Sequence, residues 1–224
     1  MPKIAAGVVK FQRESYPKRQ ALFEELSSGQ SPEALFITCS DSRISPNLMT
    51  STEPGELFIC RNAGNIVPPH TLHTGGMTAS IEYAVAALKV PHIIVCGHTE
   101  CGAMKGVTDL EALNELPHVK DWLSYARAAW QVVKEKGEGM SEQERMHLLI
   151  QENVLLQLQH LKTHPYVAAR LATKSVKLHG WVYDIKTGDV TAWNEETQRF
   201  EPVADYYADM VREHLPEHAH VAAE

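Results

Sequence analysis

Two apolar, β-rich runs each break off into a loop of potential metal ligands, and this pairing limits the fold more tightly than anything else in the chain. The first run, Ala34-Leu35-Phe36-Ile37-Thr38, leads into Cys39-Ser40-Asp41-Ser42-Arg43; the second, His92-Ile93-Ile94-Val95-Cys96, leads into Gly97-His98-Thr99-Glu100-Cys101-Gly102. Both loops read as the carboxyl ends of buried strands, the edge at which open α/β sheets form their sites. Two thiols, an imidazole and a carboxylate that are distant in sequence can therefore converge there.

The pattern between and around these strands predicts a three-layer α/β fold with a mostly parallel central sheet. A second strand is expected over 56–61, entered through Glu53-Pro54-Gly55 and leaving into the polar loop Arg61-Asn62-Ala63-Gly64-Asn65. Met77, Ile81, Ala84, Val85 and Leu88 mark an amphipathic crossover helix of about three turns. Short helices are expected after Ser45-Pro46, over 101–107 and after Pro165, with longer ones over 119–135 and 142–162. Residues 175–184 read as a strand, and Lys186-Thr187-Gly188-Asp189 turns it into a second run at Val190-Thr191-Ala192-Trp193, an antiparallel hairpin at the sheet edge. Parallel neighbours need crossover connections, which the strand-helix alternation of the first half provides.

At the amino end, Ile4, Val8 and Phe11 recur at helical spacing, and Leu22, Phe23 and Leu26 continue the pattern beyond Pro17. Residues 1–30 thus form a helical arm, which either caps its own domain or lies across a partner subunit. At 224 residues with 44% hydrophobic composition, one domain spanning 1–224 is the expected organisation. A formal charge of -7 without a Lys/Arg stripe argues against nucleic acid as a partner. No segment approaches the roughly 20 apolar residues needed to cross a bilayer, and no leader-like apolar stretch opens the chain, so the expectation is a cytoplasmic protein with no membrane partner. Four cysteines are too few for a disulfide scaffold and in a reducing compartment point to metal or catalysis.

Cys39, His98 and Cys101 supply two thiolates and one imidazole, a set suited to zinc. The short step from His98 to Cys101 lets a strand end and the next helix start present their side chains to one ion. Asp41 has two available roles: it closes the site as a fourth ligand, or it pairs with the Arg43 guanidinium and leaves a position open for water. In the open state zinc would lower the pKa of a bound water toward neutrality, giving hydroxide that an ionised Asp41 can orient toward a small carbon electrophile. No dinucleotide fingerprint or phosphate loop competes with this chemistry.

With those residues in place, the chain resembles the β-class carbonic anhydrases, through Cys39-Ser40-Asp41-Ser42-Arg43, Arg61-Asn62-Ala63-Gly64-Asn65 and Gly97-His98-Thr99-Glu100-Cys101-Gly102. The similarity runs on to His179-Gly180-Trp181-Val182-Tyr183-Asp184. The resemblance implies one zinc per subunit on Cys39, His98 and Cys101, an Asp41-Arg43 dyad, and a homodimer or larger homo-oligomer in which the arms embrace partners. It implies reversible hydration of CO2 to bicarbonate and a proton through zinc-bound hydroxide; hydrolysis of COS or CS2 and a non-catalytic zinc scaffold are the alternatives. Position-matching further implies a substrate pocket of Gln30, Phe58, Ala63, Tyr83 and the Gly102 amide, some of it contributed by the other subunit. Gln30, together with Phe36 where a closed subgroup carries tryptophan, marks the open, plant-like kind. Ala63, Ala103 and Glu100 depart from the family pattern without removing a ligand, and Glu100 is expected to point into solvent.

The remaining candidates carry blander expectations. Cys60 and Cys96 read as small buried strand residues, and Arg61 as a hydrogen-bonding support of the loop. His70 and His73 read as surface histidines, with proton shuttling as the competing role. His160, His164 and the carboxyl-terminal histidines show no metal-like spacing. Packaging in a microcompartment stays open.

Overall fold

The computed structural model describes residues 1–71 and 75–215. Its centre is a six-stranded sheet in the order β2-β1-β3-β4-β5-β6. The strands are β1 (Ala34–Cys39), β2 (Leu57–Asn62), β3 (His92–His98), β4 (Lys177–Tyr183), β5 (Val190–Asn194) and β6 (Arg199–Pro202). β1 pairs in parallel with β2 and β3, and β3 with β4; the β4-β5 and β5-β6 pairs are antiparallel. The expected hairpin is β4-β5. β6 was not anticipated, since Arg199-Phe200-Glu201-Pro202 is short, charged and proline-ended, as edge strands are.

The eleven described helices are α1 (Pro2–Lys10), α2 (Gln20–Leu26), α3 (Pro46–Thr50), α4 (Gly76–Glu82), α5 (Gly102–Thr108), α6 (Pro117–Leu123), α7 (Arg127–Lys136), α8 (Glu142–Lys162), α9 (Pro165–Ala172), α10 (Val203–Tyr206) and α11 (Ala208–His214). The crossover helix α4 continues as a π-turn over Tyr83–Ala87. The pattern over 119–135 is not one helix: a 3-10 turn at Ser124–Ala126 separates α6 from α7.

Every residue of β1 is buried, so both faces of the sheet are covered at its centre. The larger core lies on one side, where Leu35, Ile37, Ile93 and Val95 meet Leu149, Ile150, Val154 and Leu158 of α8. α8 sits unusually close to the sheet because Gly97 has no side chain; a Cβ there would meet Val154 Cγ2 at 2.9 Å. On the other face Ala34, Phe36, Ile94 and Cys96 form a smaller cluster with Met49, Trp181 and Tyr183. Tyr207, between α10 and α11, covers it by bonding His179 Nδ1 (2.7 Å) and the Trp181 indole N–H (3.3 Å).

The amino-terminal arm stands apart from this core. α1 contains no buried residue, and Ile4 and Val8 are 66% and 52% exposed. Within the arm, Phe11, Tyr16 and Phe23 pack ring against ring. It meets the body through a bidentate pair from Arg19 to Glu53, at 2.7 and 3.0 Å, and through Leu26 beside Gly55. α1 itself buries no residue against that body.

Candidate metal centre

Cys39 is the last residue of β1 and His98 the last of β3, so adjacent parallel strands deliver them to one edge. Cys101 follows after a turn in which Glu100 takes a left-handed φ of 55°, bringing the chain back before α5 begins. The three side chains are buried, and their ligand atoms lie within 4.8 Å of one another. Cys39 Sγ and Cys101 Sγ are 4.0 Å apart, close to the roughly 3.7 Å edge of a tetrahedron built on zinc-sulfur bonds.

The imidazole is set for ligation. His98 Nδ1 lies 2.8 Å from the Thr99 carbonyl, an acceptor only, so Nδ1 carries the proton and Nε2 presents its lone pair. Nε2 is buried and has no hydrogen-bond partner. A buried nitrogen without a partner is costly unless something binds it, and a soft divalent cation fits a pocket of one such nitrogen and two sulfurs. The contact between the two sulfurs, in which either can donate, draws Cys39 well below the ordinary thiol range against the opposing effect of burial, and the same contact together with burial pushes Cys101 up. A metal bound to both sulfurs would take the place of that contact.

Asp41 lies beside the cluster, with Oδ2 3.9 Å from His98 Nε2. Both of its oxygens are held by Arg43, Nε to Oδ1 at 2.9 Å and Nη2 to Oδ2 at 2.7 Å, and the Arg43 backbone N–H adds a bond to Oδ1 at 3.0 Å. These donors, the guanidinium foremost, hold the Asp41 carboxyl far below its usual range. Arg61 supports the loop as expected, donating to the carbonyls of Cys39 (3.0 Å) and Asp41 (2.7 Å). Glu100 turns outward and pairs with Lys105 at 2.7 Å.

Of the five expected pocket positions, the structure brings two to the cluster within one chain. Ala63 follows Asn62, the register partner of Cys39, and Gly102 follows Cys101 with open space where a side chain would project. Phe58 is four residues back along β2, about 13 Å from that edge. Tyr83 packs against Phe58, ring centroids 6.0 Å apart, and Gln30 lies exposed in the segment leading into the amino end of β1.

Cys60 and Cys96 are buried apart from the cluster, and burial pushes Cys96 up to about 12. His70 packs against His164, whose Nε2 bonds Pro68 O, while His160 bonds Val67 O. His73, His218 and His220 lie outside the described residues. Among the described residues no second group of three metal-ligating side chains occurs. Sequence reasoning missed the Gly64 N–H, which donates to Cys39 Sγ at 3.4 Å. Gly64 adopts φ +79°, which favours glycine, and a Cβ there would meet Met104 Cε at 2.9 Å.

Fold and site together define an α/β domain with a three-residue cluster that could hold a metal ion at the carboxyl edge of its parallel strands. The sequence profile of the carbonic anhydrase family matches residues 34–190. A carbonic anhydrase of Pseudomonas aeruginosa strain PAO1 is 48% identical over 206 residues, 92% of this chain and 93% of that protein. Among solved structures, the β-carbonic anhydrase CcaA is similar with a TM-score of 0.88 at 43% identity, covering 90% of this chain and 98% of that one. One of two tetrameric β-carbonic anhydrases from Sordaria macrospora gives 0.69 at 30% identity, covering 90% and 93%. The chain belongs to the carbonic anhydrases, and within them to the β class.

Proposed function

We propose that Cys39, His98 and Cys101 hold one zinc ion, and that this carbonic anhydrase hydrates CO2 reversibly beside it, with Asp41 orienting the attacking water and Arg43 as its positioning partner. The buried, unpartnered His98 Nε2 facing two thiols carries the reading. A bound zinc ion supplies Lewis acidity and lowers the pKa of water toward neutrality. The chain's own part is positional. Asp41, kept ionised by Arg43, accepts a hydrogen bond from the attacking water and turns its lone pair toward the CO2 carbon. The grip of Arg43 on both carboxylate oxygens favours the open, plant-like state over one in which Asp41 is a fourth ligand. Neither COS or CS2 hydrolysis nor a non-catalytic scaffold draws support from the relatives.

The working unit is a homo-oligomer built from dimers. The unburied α1 and the tetrameric relatives support it, and so does Phe58, which stands about 13 Å back along β2 from the edge that carries Cys39, with Tyr83 packed on it; we assign these two and Gln30 to a second copy's site. We place the protein in the cytoplasm. All four cysteines are free thiols, which a reducing compartment preserves, and no helix among the described residues is long and apolar enough to cross a membrane. Zinc content and stopped-flow CO2 hydration of wild type and Cys39→Ala test the reading: the variant is expected to lose both, and full activity in a zinc-free variant overturns it.

A further inference from the structure

Just after β2, residues 64–67 run through the interior, and side chains satisfy much of the backbone there. Asn62 holds Ile66 through both its amide groups, Oδ1 accepting from Ile66 N at 2.7 Å and Nδ2 donating to Ile66 O at 2.9 Å. The Trp122 indole N–H donates to Ala63 O at 2.9 Å. From the otherwise apolar buried face of α8, Asn153 Nδ2 donates to Gly64 O at 3.1 Å and Gln157 Oε1 accepts from Val67 N at 2.8 Å. The two amides are joined, Gln157 Nε2 donating to Asn153 Oδ1 at 2.8 Å. Both side chains are buried, at 1% and 0% exposure.

One end of this chain of bonds is Gly64, whose N–H donates to Cys39 Sγ. We propose that Asn153, steadied by Gln157, is a positioning residue for the metal centre: by holding the Gly64 carbonyl from α8 it fixes the angle at which the Gly64 N–H meets the Cys39 sulfur. The inference rests on the zinc reading above. An N–H donor on a ligating thiolate withdraws electron density from sulfur and orients its remaining lone pairs, as outer partners of metal ligands generally do. Two adjoining amides one helical turn apart form a rigid strut, because each oxygen and each donor used has a defined partner. A hydrophobic pair at these positions would leave the Gly64 carbonyl and the Val67 N–H without these side-chain partners.

The competing role is purely structural, with Asn153 only satisfying a buried carbonyl. Cobalt-substituted enzyme separates the two, since the thiolate-to-cobalt charge-transfer band reports electron density on sulfur. In Asn153→Leu the band is expected to move to longer wavelength, and zinc is expected to bind about 10- to 100-fold more weakly in competition with a chelator. Val167→Ala, in the buried core of α9, is the stability control and should keep the wild-type band. A folded, cobalt-loaded Asn153→Leu with an unmoved band and unchanged zinc retention overturns the proposal. If that variant does not fold, Gln157→Glu takes its place: it keeps an acceptor for Val67 N–H but gives up the donor to Asn153, so a smaller shift in the same direction is expected and an unmoved band again overturns the idea. Failure of wild type itself to take up zinc or cobalt would instead remove the zinc reading.

Discussion

Arg43 holds Asp41 through two roughly parallel N–H···O bonds, and the Nη2 that reaches Oδ2 also donates to the Glu100 carbonyl at 3.0 Å. A single guanidinium thereby ties the loop after β1 to the loop after β3, and it keeps the carboxylate turned toward itself. The dyad does two jobs, ionising Asp41 and clamping together the two segments that carry the candidate ligands.

Replacing Asp41 by Asn keeps the shape and removes the charge. Zinc content should remain near one per subunit, while CO2 hydration falls by about 10²-fold, the size that losing the orientation of a reacting group can reach. Metal analysis and stopped-flow rates on the same preparation check this; unchanged turnover would remove Asp41 from the mechanism.

Cys39→Ala takes away a ligand and the acceptor of the Gly64 N–H. Wild-type Tm should rise with added zinc, because a ligand bound only by the folded state stabilises it by mass action. The variant should show no such rise at the same zinc concentrations, and its activity should drop to background.

Subunit mixing tests whether the apolar wall belongs to a second copy. Cys39→Ala and Phe58→Ala chains, each expected to be impaired alone, should on co-refolding recover about a quarter of wild-type sites, since half the dimers are mixed and one of their two sites is intact. Activity no higher than the mean of the separate variants would return Phe58 to its own chain.

His179 makes stability depend on pH at a place away from the cluster of Cys39, His98 and Cys101. Burial, with smaller effects from His92 and Lys177, lowers its pKa to about 4. The unfolded chain therefore binds a proton more readily. The contribution is fully present above 6.5, the ordinary imidazole value, and is lost as pH falls from there to about 4. The loss should be on the order of 2 kcal/mol after allowance for partial exposure. Denaturant unfolding between pH 7 and about 4 should show a steeper decline for wild type than for His179→Gln, and parallel curves would contradict the assignment.

Much of the candidate site is legible in the chain because its residues sit at strand ends and in the loops just after them, where a short local pattern specifies both the secondary structure and the edge. Cys39, His98, Cys101, Asp41 and Arg43, which the structure brings together, are of this kind, and so is the hairpin signalled by Lys186-Thr187-Gly188-Asp189. The break between α6 and α7 was hidden because apolar periodicity continues through Ser124–Ala126. Asn153 and Gln157 gave only a weak sign, two amides at helical spacing on an apolar face.

By itself the sequence determined the sheet-edge loops, the donor set and the class of chemistry, since strand propensity and ligand chemistry belong to residues and their near neighbours. Only the tertiary structure decided that the Asp41 carboxylate faces Arg43, that Asn153 reaches Gly64 across 89 positions, and that Phe58 stands away from its own cluster. Those outcomes depend on strand register and on how α8 lies against the sheet, and both are set by packing between segments that no local pattern relates.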